Sequence, residues 1–337
     1  MRKLLLLFFC IATTLSCKDK LELFEEYNDT SQVFGILKTS ENRNYIKITK
    51  AFSGVGNTYD MAKIPDSSNY TRKLNAKLIE ISNGAKKEFP LDTLTLRHRK
   101  PGVFYSPNQL VYYTDEKIKD DAKYQLIIDK GNNNIVRSEI EMSLPPKVSN
   151  KGSIKLDFID KNTYNITIEP RSKTPLIEVW LKFNYVEINT VKKDTVDKSF
   201  KWKMAYKVYP NVKINYLYKI TSRADGFFKH LKENVKPDKD IIRYIGFKKL
   251  LQQKYNTYKG RCMDIQVYAG DENLYLYSAS NNDKVSLIQT SKCFSNIENG
   301  VGIFGGVTTN SILVDIDTKS ELKIRTDYKE LNFQNPN

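Results

Sequence analysis

The chain is 337 residues long and sets 54 Lys+Arg against 39 Asp+Glu, a formal net charge of +15. Apolar residues make up 40% and charged residues 28%, a balance that excludes a chain disordered throughout. The length suits about two domains, each large enough to bury its own core.

The basic start Met1-Arg2-Lys3 is followed by an apolar run from Leu4 through Ala12, too short to span a bilayer but suited to a secretory signal. Thr14-Leu15-Ser16-Cys17 resembles the lipobox of bacterial lipoproteins, although Thr14 stands where Leu is usual. The resemblance implies cleavage after residue 16 and a diacylglycerol on the Cys17 sulfur, so that outer-membrane lipid is a partner through Cys17. Loss of residues 1–16 removes Arg2 and Lys3 and leaves +13. Residues 17–30 are polar and suit a tether. Nothing later in the chain is apolar over a spanning length, so the lipid is the expected anchor.

Strand patterns begin at residue 31. Val33 to Leu37 and Tyr45 to Ile48 flank the turn-rich Ser40-Glu41-Asn42-Arg43-Asn44, and Lys77–Ile81, Gln109–Thr114, Lys123–Ile128 and Ile135–Met142 continue the series. Leu144-Pro145-Pro146 closes the unit. Short strands with turn chemistry between them predict a β-sandwich over 31–146. The Tyr124-x-Leu126-x-Ile128 strand and closing hairpin resemble an immunoglobulin or fibronectin-type domain.

Residues 147–337 read as a second, antiparallel β-rich domain with two short helices. Ile154, Leu156 and Phe158 alternate with charges, and Tyr164, Ile166 and Ile168 follow. Ile177, Val179, Leu181, Phe183 and Tyr185 share one strand face. Phe200, Trp202, Met204, Tyr206 and Val208 repeat the pattern, opposite Lys201, Lys203 and Lys207 on a wet, basic face. Val212 to Tyr218 predicts a third strand. Ser222 is expected to cap a helix over Ala224–Asn234, and Asp271-Glu272 to open another through Ser280. Residues 241–252 fit either period.

Cys10 leaves with the signal and Cys17 is lipidated, so Cys262 and Cys293 remain in an exported chain. A disulfide between them is expected, off the core face beside Asp264 and Gln266, with two free thiols as the alternative. The two histidines have no fitting neighbours: His98 lies in Arg97-His98-Arg99-Lys100 and His230 near a helix end. Histidine-based catalysis, a metal centre and a cofactor are not expected. Asp315 to Glu321 lacks the glycine of a calcium loop and reads as an acidic turn between strands. Gly54-Val55-Gly56 is no phosphate loop, and Gly300, Gly302, Gly305 and Gly306 suit tight backbone packing. Trp180, among Glu178, Lys182 and Asn184, is the candidate ligand contact, with Lys201, Lys203 and Lys207 as a cationic surround. Export and alternating lysines argue against nucleic acid.

Asp271-Glu272-Asn273-Leu274-Tyr275-Leu276-Tyr277, followed by Ser295-Asn296-Ile297-Glu298-Asn299-Gly300-Val301-Gly302-Ile303-Phe304-Gly305-Gly306, resembles uncharacterised two-domain outer-membrane lipoproteins of Bacteroidetes, as does the segment Ile46–Tyr70. That resemblance implies a lipid-anchored outer-membrane location, a TonB-dependent receptor as neighbour, and no catalytic residues. Lys18-Asp19-Lys20 partly resembles the surface-export signal of that phylum, favouring the cell surface over the periplasmic face. The expected function is therefore a non-enzymatic accessory or ligand-capture subunit beside an importer, with acidic glycan or lipopolysaccharide as ligand. The alternative is a glycan-binding adhesin or a carboxylate-dependent hydrolase.

Overall fold

The computed structural model describes residues 30–335, apart from 52–56, 98–99, 101, 103–104, 106–107, 150–154, 161–162, 224–225, 248–261 and 283–293. The signal, Cys17, almost all of the tether, Gly54-Val55-Gly56, His98 and Cys293 lie outside the described residues. The chain is mainly β. Its first half contributes β1 (Ser31–Lys38), β2 (Asn44–Lys50), α1 (Thr58–Ala62), α2 (Pro65–Ser68), β3 (Asn75–Ser82), β4 (Ala85–Pro90), β5 (Asp92–Leu96), β6 (Gln109–Thr114), β7 (Lys123–Asp129) and β8 (Ile135–Glu141). The second half adds β9 (Lys147–Ser149), β10 (Lys155–Leu156), β11 (Thr163–Glu169), β12 (Leu176–Asn189), β13 (Asp194–Val208) and β14 (Tyr218–Arg223). It continues with α3 (Phe227–Asn234), β15 (Ile241–Ile245), β16 (Met263–Gly270), α4 (Glu272–Asn282), β17 (Gly300–Ile316) and α5 (Thr318–Asp327).

One long sheet runs through both halves in the order β13-β12-β16-β17-β1-β2-β6-β5, with β10 on β17 and β15 on β12. Its central joint is the parallel pairing of β1 with β17, from Ser31 opposite Gly300 to Lys38 opposite Val307. The sheet therefore crosses the boundary expected at 146/147. Two smaller sheets cover its inner face. The order β4-β3-β7-β8 packs over the β1–β2 end, where Val33, Leu37, Ile46 and Ile48 meet Leu78, Leu126 and Ile140. The order β14-β11-β9, with α3 and α5, covers the β12–β16 end, where Val179, Leu181 and Phe183 meet Ile166, Ile220, Phe227 and Ile324. Strand β17 serves both cores, giving Phe304 to the first and Val314 and Ile316 to the second.

The Tyr124-x-Leu126-x-Ile128 alternation buries all three side chains almost completely. The Tyr124 hydroxyl accepts from the Lys119 backbone N–H at 2.9 Å and donates to Glu80 at 2.9 Å. A tyrosine tied to backbone five residues upstream is the corner device of immunoglobulin-like sandwiches. Lys119 also reaches Glu80 at 2.5 Å, so this buried carboxylate is doubly held.

Several expectations are corrected. Tyr209 to Leu217 form no strand; the first strand after Val208 is β14, which includes Ser222, and α3 begins at Phe227 behind Gly226 at φ 90°. Asp317 caps α5, accepting from the Lys319 and Ser320 N–H groups, so the acidic segment joins a strand to a helix rather than two strands. Phe158 sits in a turn after the two-residue β10. Residues 241–245 are strand.

A candidate ligand groove on the outer sheet face

Antiparallel partners share a sheet face, so the registers place side chains directly. On the face away from the cores, β12 presents Glu178, Trp180 and Lys182, opposite Tyr206, Lys203 and Lys201 of β13 and opposite Tyr268, Gln266 and Asp264 of β16. Strict alternation along β13 would have put Lys207 there too. It does not, because Val179 pairs with Ala205 whereas Trp180 pairs with Lys203, leaving Met204 as an extra residue. This bulge reverses the facing of everything beyond it. Tyr206 turns outward beside Trp180, and Lys207 pairs with Ile177 on the opposite face. The sequence reading of Lys207 is corrected accordingly, while Trp180, Lys201 and Lys203 do come together.

Trp180 is half-buried and fixed at its edge: its Nε1–H donates to Glu178 Oε2 at 2.9 Å. Lys203 Nζ donates to the other Glu178 oxygen at 2.6 Å. Lys201 and Lys203 each hold their ammonium 5.4 Å from the Trp180 ring centroid, within cation–π range. Lys201 also donates to the Tyr268 hydroxyl at 3.4 Å, which donates to Gln266 Oε1 at 2.8 Å; Gln266 Nε2 donates in turn to Asp264 Oδ2 at 2.8 Å. Burial pushes the Asp264 carboxyl upward, against the opposing pull of its Gln266 hydrogen bond and of Lys182.

Helix α4 walls this face. Asp271 begins it, accepting from the Leu274 N–H through Oδ1 at 2.9 Å, while its Oδ2 accepts from the Gly306 N–H of β17 at 2.8 Å. Leu274 drops into the space left by two glycines: a Cβ on Gly305 would stand 2.6 Å from Leu274 Cγ, and one on Gly270 3.5 Å from its Cδ1. Asn296 fixes the adjoining loop, with Oδ1 accepting from the Phe304 N–H at 2.9 Å and Nδ2 donating to the Phe304 carbonyl at 2.7 Å. Gly302, at φ 122°, leaves no room for a side chain against the Val33 carbonyl. The signature segments around 271–277 and 295–306 thus seat a helix on a sheet.

Two cavities open between helix and sheet. One, about 360 Å³, is lined by Trp180, Lys201, Tyr206, Tyr268, Leu274 and Phe34 among others. The second, about 770 Å³, continues across β1 and β2, sharing Phe34 and Tyr277 with the first. Sequence reasoning found Trp180 and the two lysines; it missed Phe34, Tyr206, Tyr268 and Tyr277, which only tertiary pairing brings to one place. Among the described residues no group of three or more His, Cys, Asp or Glu side chains could hold a metal ion. No helix among them is long and apolar enough to cross a membrane.

Cys262 is a fully buried free thiol in the second core, its pKa pushed up to about 12 by burial. It does not lie on a solvent-facing side as expected, because the strand end is covered on both faces; its expected partner Cys293 is outside the described residues. His230 stacks on Trp202 at 5.4 Å and lies 3.5 Å from Glu233.

Residues 32–312 match the family model described as a domain of unknown function (DUF4249), and the chain belongs to that family. No curated protein matches it. Among solved structures, it is similar to the C-terminal globular domain of an oligosaccharyltransferase from Pyrococcus abyssi, at 10% identity and a TM-score of 0.26. That match covers 60% of this chain and spans 39% of the other, and it bears on neither fold nor function.

Proposed function

We propose that the protein is a lipid-anchored outer-membrane lipoprotein that captures a ligand without transforming it, as an accessory beside an outer-membrane importer. The observation that carries this reading is the groove: an outward sheet face, walled by a helix, that gathers Trp180, Tyr206 and Tyr268 around the ammonium groups of Lys201 and Lys203. Aromatic walls with a few placed polar groups are the usual make-up of a small-molecule site. The lipobox-like Thr14-Leu15-Ser16-Cys17 and the resemblance to Bacteroidetes lipoproteins support the anchor and the location. An importer of the TonB-dependent class is the partner that resemblance implies. The +13 of the processed chain and the groove lysines favour an acidic ligand.

A binding screen of acidic glycans, neutral glycans and outer-membrane extracts, run at two salt concentrations, tests the reading. Binding to acidic material should weaken with salt and with Lys201→Ala combined with Lys203→Ala. Turnover of a peptide, ester or glycan that vanishes with one carboxylate substitution would overturn the non-enzymatic role. Cys17→Ala should abolish membrane retention, and co-purification from detergent-extracted outer membranes should recover a receptor.

A further inference from the structure

The groove is chemically uneven along its length. At the β12–β13 end stand Lys201 and, beside it on the same face, Lys203, and among the described residues Glu178 is the single acid lining either cavity. Glu178 is already engaged at both oxygens, by Trp180 Nε1 and by Lys203 Nζ. Lys201, whose contacts are the Trp180 and Tyr268 rings and the Tyr268 hydroxyl at 3.4 Å, all neutral, is the cation beside the aromatic rings for an incoming acid; Lys38 lines the same cavity from β1. From there the floor is mainly apolar, through Leu176, Leu274, Val307, Ile303, Ile36 and then Phe34, which is 49% exposed, with Lys38 and Ser278 alongside it and Lys47 beyond Phe34 in the second cavity. A saccharide laid along this floor would leave most of its hydroxyls without partners, whereas an alkyl chain would need none. The path crosses four strand spacings from β13 to β1, about 19 Å.

We propose that the groove binds a single-chain amphiphile, with its acidic head at Lys201 and its acyl chain on the apolar floor ending over Phe34. This deepens the ligand-capture reading and rests on it. Helix α4 lies along the chain as a wall through Leu274 and Tyr277, and the aromatic rings about Trp180 mark the boundary between head and chain.

The test uses the full chain carrying Cys17→Ala, so that no attached lipid competes, titrated with dodecanoate below its micellar concentration. Trp180 emission reports the site, since Trp202 is buried in the core, and calorimetry supplies the stoichiometry. One dodecanoate should bind per chain, with glucuronate and dodecanol each at least tenfold weaker. Phe34→Ser and Ile36→Asn, on the outer face and away from both cores, should weaken dodecanoate at least tenfold and leave glucuronate unchanged. Lys201→Ala should weaken dodecanoate and leave dodecanol unchanged. Glucuronate binding as tightly as dodecanoate and indifferent to Phe34→Ser would overturn the amphiphile while leaving ligand capture standing. Failure of dodecanoate to bind would also overturn it; ligand capture itself falls only if acidic glycans and outer-membrane extracts show no binding sensitive to Lys201→Ala.

Discussion

Asp271 and Gly306 hold each other twice: the Asp271 carboxylate accepts from the Gly306 N–H at 2.8 Å, and the Asp271 N–H donates to the Gly306 carbonyl at 3.1 Å. The same carboxylate caps α4, so one buried side chain ties the groove's wall to its floor. Burial pushes its pKa up to about 6, opposed by hydrogen bonds from Leu274, Gly306 and Asn273; Glu272 adds to the rise. Unfolded, the group returns to an ordinary carboxylate value, so the folded chain holds the proton more tightly. Its stability contribution is therefore greatest below the unfolded value and is lost as pH rises through about 6. Urea unfolding at pH 4.5 and pH 7.5 should show wild type losing up to about 2 kcal/mol more than Asp271→Asn over that interval. An equal slope in the variant would refute the assignment.

Gly302 and Gly305 should differ in their tolerance of a methyl group. A Cβ at Gly302 would lie 2.0 Å from the Val33 carbonyl oxygen at a φ of 122°, so Gly302→Ala must break the β1–β17 joint. The expected cost is about 3 kcal/mol or more, against about 1–3 for Gly305→Ala, where Leu274 can shift. Gly102→Ala, with nothing within 4 Å, is the control and should be near zero. Thermal unfolding of the three variants checks the order.

Arg243 is a buried staple. Its Nε donates to Glu187 at 2.9 Å, Nη1 to the Leu331 carbonyl at 2.7 Å and Nη2 to the Lys236 carbonyl at 3.0 Å. Arg243→Ala leaves a largely buried carboxylate and two carbonyls without this donor, for an expected loss of about 3–5 kcal/mol. Arg243→Lys should recover only part of it, since one ammonium does not span the three directions. Equilibrium unfolding of both variants measures the difference.

Cys262 should resist alkylation in the native chain, because its thiol is fully buried and its pKa is pushed up to about 12. Unfolding without reductant should expose it to label. Mass mapping that finds it linked to Cys293 in material from the native compartment would show the bond expected from sequence instead.

Much of the strand content was legible because period-two burial is a local property. β7 buries Tyr124, Leu126 and Ile128, and β12 buries Ile177, Val179, Leu181 and Phe183, as their alternation predicts. The bulge at Met204 was not legible, since apolar residues continue at every second place and the flip is visible only against β12. Lys207 was misplaced for that reason. The segment from Val212 to Tyr218 alternates like a strand, yet no neighbouring strand pairs with it before Tyr218. The groove itself was half legible: Trp180 and its lysines are close in sequence or on adjacent strands, whereas Phe34 and Tyr277 reach it only through the pairing of β1 with β17.

That pairing also dictates an order of events. Strand β1 is made early, but its partner β17 spans Gly300–Ile316 and leaves the ribosome long after it. Until then Val33 and Leu37 lack Phe304, and the long sheet has an open edge in its middle. The chain cannot close its first core domain by domain; it must complete both at once, through its most distant contacts. Truncation anywhere before Ile316 should therefore compromise the first half as well as the last.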